Sequence, residues 1–457
     1  MSGIPEPSAA RRRYVTVCVL FWLPIGLTIA PLILLLTERG MTLVAVAGCF
    51  AAHSLTAAVL ELPTGGLSDV LGRRAVLAAA GVANLAALVL VALGTAPWQL
   101  GLGMALMGAG RALSSGPAEA WYVDTVHARS GPGAELRTGL ARGASATSAA
   151  LAGGTLLGGA LPWLLGLGPD LGDRLSGATS GLVLPLSVPL LLGAAVEIAF
   201  VLYALTALPE PPRPAATLRG ALRGIPATVA GGLRLGGRDA LVRRVLLSAA
   251  GAGSALAVVE LLTPGRTAAL TGAPESGAVL FALLACAGFA CSAVGSHLAP
   301  LAARLAGSGE RAVLAGLGAA AGGLFLLGVT AAAGGVGPAV LAATGFGLVY
   351  LGRGAAGPNE NELMHRRVGE SGRATALSVQ SLALQLSAAL TGSVASLLPP
   401  GPLPWLLGGV ALLAAALLWS GSRSGPRPGR GGRRFPAPPS DDDRQGSPRV
   451  DIRSVSE

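Results

Sequence analysis

A few ionisable side chains interrupt the long apolar stretches of this 457-residue sequence. Arg111 and Arg353 lie inside such stretches, and so do the carboxylates Glu197 and Glu260. An arginine in apolar surroundings can bind an anionic group or hold a glutamate in its charged form. It can also serve only as a structural pin between helices, and both alternatives stay open. A carboxyl group in apolar surroundings can keep a proton at neutral pH and carry it.

The two arginines occur in similar segments, which suggests an internal duplication. Residues 110–119 read GRALSSGPAE and residues 352–360 read GRGAAGPNE, so Glu119 and Glu360 end the two segments. Both contain Gly-Arg, a short run of small residues and Gly-Pro-x-Glu, with one more residue in the first segment. Within one helix, Glu360 would lie about 10 Å along the axis from Arg353. We therefore expect no direct pair between them unless Gly-Pro kinks the helix.

The composition indicates which elements must position these side chains. Hydrophobic residues make up 52% of the chain and charged residues only 12%, whereas soluble domains have about 25% charged residues. A single large soluble enzyme is therefore excluded, and we find no catalytic motif or Walker loop. The formal charge is +10, every basic residue counted in it is an arginine, and all but two of the arginines lie outside the apolar stretches or at their ends. This pattern is typical of a membrane protein and excludes a nucleic-acid reader.

About 20 apolar residues in a helix cross a bilayer. By this criterion, the sequence predicts an all-α integral membrane protein with twelve transmembrane helices, at residues 14–36, 41–63, 75–95, 98–121, 138–166, 182–207, 241–263, 276–300, 312–332, 337–358, 374–398 and 402–420.

The arginines predict the orientation of these spans. Of the 33 arginines, 28 lie in the segments on the side of the two termini and 3 in the gaps on the other side. Arginine is retained on the cytoplasmic side of membranes. We therefore expect a multi-pass protein of the plasma membrane with both termini in the cytoplasm.

The spans divide into two six-helix, pseudo-symmetric halves. We expect a cytoplasmic N-terminus at 1–13, a first half at 14–207, a central cytoplasmic loop at 208–240, a second half at 241–420 and a disordered cytoplasmic tail at 421–457. The basic stretch at 218–235 is either an interfacial helix or a plain linker. The tail is rich in Pro, Gly, Ser and Arg and lacks the apolar residues that folding needs.

The most specific motif lies between the second and third spans. Residues 65–74 read GGLSDVLGRR, which resembles the loop signature G-x-L-a-D-r-x-G-r-[KR] of the major facilitator superfamily. The matching residues of the latch are Gly66, Asp69, Gly72, Arg73 and Arg74, and Val70 replaces a usual basic residue. Twelve spans and a long central loop agree with this family over about residues 10–420.

The resemblance implies a latch that closes the inner side of the protein. We expect Asp69 to cap the helix that follows and to pair with arginine, and Asp124 to join this network. The alternative is that Arg73 and Arg74 only anchor the loop on the cytoplasmic side.

The resemblance also implies a central cavity lined by spans one, four, seven and ten. Its candidate residues are Arg111, Glu119, Arg353 and Glu360. The candidates for proton coupling are Glu197 first, then Glu260 and Glu119. In span five, residues 153–162 read GGTLLGGALP and resemble the antiporter signature of the family with a displaced proline. Close packing explains the same glycines.

We therefore expect a secondary active transporter, with proton-coupled export of a small drug-like solute or metabolite as the leading hypothesis. Uptake of a nutrient by the same fold is the alternative. A non-transporting membrane receptor or scaffold is the hypothesis of another class. We expect protons and the lipid bilayer as partners, a monomer, no cofactor, no metal and no nucleic acid.

Overall fold

The computed structural model describes residues 5–131, 133–167, 170–210, 234, 236–368 and 370–420, apart from the side chains of 62–66, 69 and 370–375. In this part of the chain we find α-helices and one short 3₁₀ turn, but no strand. The predicted basic stretch at 218–235 lies outside the described residues, except for residue 234. The predicted tail at 421–457 lies outside them entirely.

Nine helices precede the central segment. They are α1 (Pro7–Ile29), α2 (Leu32–Glu38), α3 (Leu43–Leu71), α4 (Arg73–Leu93), α5 (Pro97–Ser114), α6 (Pro117–Ser130), α7 (Arg137–Leu165), α8 (Leu171–Ala178) and α9 (Val188–Ala207).

Six helices follow it. They are α10 (Ala240–Thr271), α11 (Pro274–Ala306), α12 (Gly309–Val329), α13 (Val336–Arg367), α14 (Glu370–Leu397) and α15 (Pro402–Leu417).

The lengths and hydropathy of these helices establish a multi-pass membrane protein. Among the described residues, nine helices are long and apolar enough to cross a bilayer. The other predicted spans fall on α5 with α6, on α14 and on α15, which is apolar but only 16 residues long. The exact number of twelve spans therefore remains a prediction.

The helices before and after the central segment have equivalent neighbours. Helix α1 packs against α7 and α9, and α10 packs against α14 and α15. The pairs α3–α5, α4–α5 and α4–α9 correspond in the same way to α11–α13, α12–α13 and α12–α15. We call α1–α9 the first set and α10–α15 the second set. The principal contacts between the sets are α3 with α14 and α7 with α11.

The two duplicated segments differ in structure. The first is broken between α5 and α6, where Gly116 has a φ of 92° that favours glycine. Pro117 then begins α6, a position that suits proline. In the second segment, α13 continues without a break through Pro358. The additional residue of the first segment thus coincides with a helix break that the second lacks.

The predicted loop at residues 65–74 is wrong in its extent. Helix α3 continues to Leu71, and the turn into α4 consists of Gly72, whose φ is 101°. Gly72 occupies the N-cap position of α4. The cap expected from Asp69 and the position of Gly66 in the latch depend on residues whose side chains are not among those described.

Candidate functional site

The break between α5 and α6 opens onto a cavity of about 280 Å³. Helices α1, α3 and α7 complete its wall. The polar and aromatic residues that line it are Tyr14, Cys18, Trp22, Glu61, Arg111, Ser114, Ser115, Glu119 and Thr147. The cavity therefore brings together two of the four predicted cavity residues, Arg111 and Glu119.

Two glycines just before Arg111 let α5 approach α3 and α4 closely. A Cβ on Gly108 would lie 2.2 Å from the His53 carbonyl oxygen of α3, and one on Gly110 would lie 2.1 Å from Asn84 Oδ1 of α4. Real Cβ atoms do not approach so closely, because packed carbon atoms are separated by about 3.5–4.0 Å. The Gly-Arg pattern therefore serves close helix packing as well as the placement of Arg111.

Helix α14 contacts the charged residues of the cavity from the second set. Ser381 donates a hydrogen bond of 2.7 Å to Glu61 Oε2. With the amide oxygen of Gln385 turned toward Arg111, it accepts hydrogen bonds from Arg111 Nε at 3.0 Å and Nη2 at 3.3 Å. Ser381 and Gln385 are four residues apart and share one face of α14. These two contacts connect the two sets of helices beside the cavity.

Sequence reasoning missed this contribution of α14. Glu61 was not predicted as a site residue, and neither were Ser381 and Gln385. The available signal was the spacing of two polar residues on one face of an apolar helix. That signal cannot identify their partners, because Glu61 and Ser381 are 320 residues apart in the chain.

Glu260 faces a second, smaller cavity of about 40 Å³ between α3, α10 and α14. It is within electrostatic range of Arg111 and of Tyr350 on α13. Arg111 therefore shares its cavity with two carboxylates of the first set, Glu61 and Glu119, and interacts electrostatically with one of the second set.

The duplicated glutamates have different surroundings. Glu119 is exposed to the cavity, whereas Glu360 is 8% exposed. Glu360 has a hydrogen bond with Ser248, and the Ser248 hydroxyl accepts one of 2.8 Å from Trp419 Nε1. Arg353 interacts electrostatically with Glu360, and neither lines the 280 Å³ cavity.

Glu197 is completely buried, with an exposed fraction of 0%. Asn84 Nδ2 donates a hydrogen bond of 3.2 Å to its Oε1, while Oε2 has no hydrogen-bond partner within the described residues. The pair joins α4 to α9 and does not line either cavity.

The turn between α3 and α4 is tied to two other elements. Arg73 Nε lies 3.5 Å from Asp124 Oδ2 of α6, and Arg73 also donates to Ser68 Oγ. The backbone N–H of Arg74 donates a 2.9 Å hydrogen bond to Glu210 Oε1 beyond α9. The structure thus brings Arg73 and Asp124 together, as the latch requires.

Two ion pairs repeat between the sets at the ends of equivalent helices. Glu6, the N-cap of α1, lies 3.5 Å from Arg129 near the end of α6. Asp239, the N-cap of α10, lies 2.5 Å from Arg367 at the end of α13. Although partial burial opposes the effect, hydrogen bonds from Arg367 and two backbone amides hold the pKa of Asp239 below its usual range. Both pairs join the first helix of a set to its fourth predicted span.

Within the described ranges, no group of three or more His, Cys, Asp and Glu side chains could hold a metal ion.

Comparison with known proteins identifies the fold. No family model matches the chain, and no curated relative matches it either. Among solved structures, the nucleoside transporter NupG is 13% identical with a TM-score of 0.67, covering 90% of this chain and 98% of that one. A D-xylose-proton symporter is 16% identical with a TM-score of 0.63, covering 90% and 96%.

A bacterial homolog of the human lysosomal transporter Spinster is also similar, at 15% identity and a TM-score of 0.63, covering 91% of this chain and 95% of that one. These are all transporters of the major facilitator type, and none of them is an enzyme. The predicted resemblance to this superfamily is confirmed at the level of the fold.

Proposed function

We propose that this chain, which has the major facilitator fold, is a secondary active transporter of a small organic solute. The observation that carries the proposal is the pair of hydrogen-bonded contacts from α14 to Glu61 and Arg111 beside the cavity. Alternating access requires two sets of helices whose mutual contacts can break and reform around a central site. The predicted halves at 14–207 and 241–420 would be these two moving units.

The contacts of α14 suit such a cycle. Hydrogen bonds to charged groups are strong in a cavity but can be exchanged for hydrogen bonds to a ligand or to water. A solute that binds Arg111 or Glu61 would compete with Gln385 or Ser381. Binding would thereby change the free energy of the contact between the sets, which is what coupling needs.

Proton coupling is part of the proposal, and the geometry changes the order of its candidates. Glu119 and Glu260 each face a cavity, so a proton can reach them and leave again. Glu197 is enclosed between α4 and α9. We therefore propose Glu119 and Glu260 ahead of Glu197. That one solved neighbour is a proton symporter supports proton coupling in this fold.

Export is the proposed direction, on the resemblance of span five to an antiporter signature. Packing explains part of that pattern, since a Cβ on Gly158 would lie 2.3 Å from the Leu27 carbonyl oxygen of α1. Uptake by the same fold and a receptor without flux remain the alternatives. The proposed location is the plasma membrane, with both termini in the cytoplasm, and the proposed state is a monomer.

The latch is proposed for Gly66, Asp69, Gly72, Arg73, Arg74 and Asp124. The ion pair between Arg73 and Asp124 supports it. We expect Asp69→Asn to impair transport while membrane insertion is unchanged. Wild-type flux in that variant would contradict the latch.

The proposed function is tested in proteoliposomes that contain a pH-sensitive dye. Panels of amines, nucleosides, sugars and peptides are added, and solute-dependent proton movement is recorded. We expect flux in the wild type and its loss in the double variant Ser381→Ala/Gln385→Ala. The matched control is Ser393→Ala on the same helix, because Ser393 donates to the Ala389 carbonyl of its own helix.

Three outcomes of the flux assay would contradict parts of this proposal. Flux that is equal in the double variant and in Ser393→Ala would refute the role of the α14 contacts. Saturable binding without flux would favour a receptor. Net movement of solute toward the cytoplasmic side of the protein would favour uptake.

A further inference from the structure

The geometry points to a compact organic cation, such as a protonated amine or a quaternary ammonium, as the ligand of the 280 Å³ cavity, with Glu119 recognising its charge. Transport of this ligand rests on the proposed function, whereas its binding to the cavity does not.

The charges of the cavity wall favour a cation. The described lining contains one arginine, Arg111, and two glutamates, Glu61 and Glu119. With all three ionised, these described side chains carry a formal charge of −1. Glu260, a further carboxyl group, interacts electrostatically with Arg111. Because charges in a cavity of low dielectric interact strongly, a ligand with a positive charge is favoured there.

Arg111 is a poor site for an anion. Its guanidinium already donates to Gln385, carboxylates from α3 and α6 line the same cavity, and Glu260 of α10 interacts with it electrostatically. An anion would have to displace Gln385 and approach Glu61 and Glu119, which repel it. The arginine is therefore better placed to hold the contact with α14 than to bind an anionic substrate.

The aromatic residues and the size of the cavity define the ligand further. Tyr14 and Trp22 are part of the wall, and the negative faces of aromatic rings attract ammonium groups within about 6 Å. The volume of about 280 Å³ lies just below that of ligand pockets, which range over about 300–1,000 Å³. This size fits one ring with a substituted ammonium group.

The internal duplication supplies a natural comparison for Glu119. Glu360 occupies the equivalent position in the second segment, but it is buried and hydrogen-bonded with Ser248. Only the first segment is broken, at Gly116, and Gly116 itself lines the cavity beside Glu119. The break thus coincides with the glutamate that a solute can reach.

The test is isothermal titration of the purified full-length protein with benzyltrimethylammonium and with benzenesulfonate, a probe of similar size and opposite charge. We expect saturable binding of the cation and none of the anion. Glu119→Gln should weaken cation binding about tenfold or more, as expected for the loss of a charged partner. Glu119→Asp should bind nearly as the wild type, and Glu360→Gln is the matched control that keeps wild-type affinity.

Several results would overturn the inference. These are preferred binding of benzenesulfonate, no saturable binding of the cation below a Kd of about 1 mM, or equal losses in Glu119→Gln and Glu360→Gln. Glu119→Asp shows whether a loss comes from the charge or from misfolding. Uptake of radiolabelled benzyltrimethylammonium is measured in parallel. If the cation binds in a Glu119-dependent way but is not transported, the proposed transport function is contradicted and the cation site stands. If another solute shows proton-coupled flux but the cation does not bind, the cation site is contradicted and the transport function stands.

Discussion

Gly159 controls how closely the two sets of helices approach through α7 and α11. A Cβ at Gly159 would lie 2.5 Å from Ala282 Cβ and 2.6 Å from the Ala278 carbonyl oxygen. Carbon atoms in contact are separated by about 3.5–4.0 Å, so Gly159→Ala would force α7 and α11 apart by about 1 Å. Overpacking of this kind destabilises a contact by about 1–3 kcal/mol.

The expected consequence is a shift between conformations. If transport alternates between states in which α7 and α11 are together and apart, the variant disfavours the first state by this amount. A free-energy change of 1–3 kcal/mol shifts such an equilibrium by about 5- to 150-fold. The population with α7 and α11 apart should therefore increase by a factor in this range.

A native cysteine reports on the same contact. Cys286 Sγ lies 3.6 Å from the Ala152 carbonyl oxygen, across the boundary between α11 and α7. In a variant with Cys286 as the single cysteine, its rate of labelling by a membrane-impermeant maleimide measures how often the contact opens. We expect Gly159→Ala to raise this rate by the factor given above.

Two glycines on the same helix provide controls. A Cβ at Gly153 would meet no atom within 4 Å, so Gly153→Ala should leave labelling unchanged. A Cβ at Gly158 would lie 2.3 Å from the Leu27 carbonyl oxygen, so Gly158→Ala should lower the Tm without selectively exposing Cys286. The reasoning fails if Gly159→Ala labels like Gly153→Ala, or if Gly158→Ala exposes Cys286 equally.

Four further results are expected. Arg111→Ala should impair flux because it removes the contact with Gln385 between the two sets, and unchanged affinity and rate in a flux assay would leave the arginine as a structural pin. Arg73→Ala should reduce flux while changing the free energy of unfolding by less than about 1 kcal/mol, because its ion pair is partly exposed; unaltered flux would contradict the latch. Glu197→Gln keeps an acceptor for Asn84 and should retain proton-coupled flux, so that loss of coupling with normal folding would restore Glu197 as the first candidate. The pKa of Asp239 is lowered in the fold, so its ionised form stabilises the protein above the unfolded pKa of about 3.9, and this contribution disappears as the pH falls through the folded value. Asp239→Asn should therefore lower the Tm at neutral pH, by an amount that shrinks in acid. A difference in Tm that does not change with pH would contradict this.

Much of the architecture could be predicted, because the secondary structure of each segment depends on its own residues and on the water or lipid around it. A run of apolar residues must form a helix in the bilayer, where every backbone polar group needs an internal partner. The duplicated Gly-Arg and Gly-Pro-x-Glu segments likewise predicted a repeated arrangement, and equivalent helices do have equivalent neighbours.

The boundaries near glycine and proline could not be predicted in the same way. Helix α3 continues through Pro63 to Leu71, so the predicted loop is helical for most of its length. The predicted span at 241–263 likewise continues to Thr271 through Pro264. In a membrane protein, neighbouring helices stabilise a helix beyond a proline that would end it in water.

The amino-acid sequence alone predicted an all-helical membrane protein, an arginine-rich side and the rare charged residues within apolar stretches, since these follow from hydropathy and charge along the chain. Only the tertiary structure decided which of them meet. Glu119 and Glu360 follow nearly the same local sequence, yet one faces a cavity and the other is buried. Ser381 reaches Glu61 only because α14 packs against α3. Such contacts depend on helices that are far apart in the chain, and no local pattern records them.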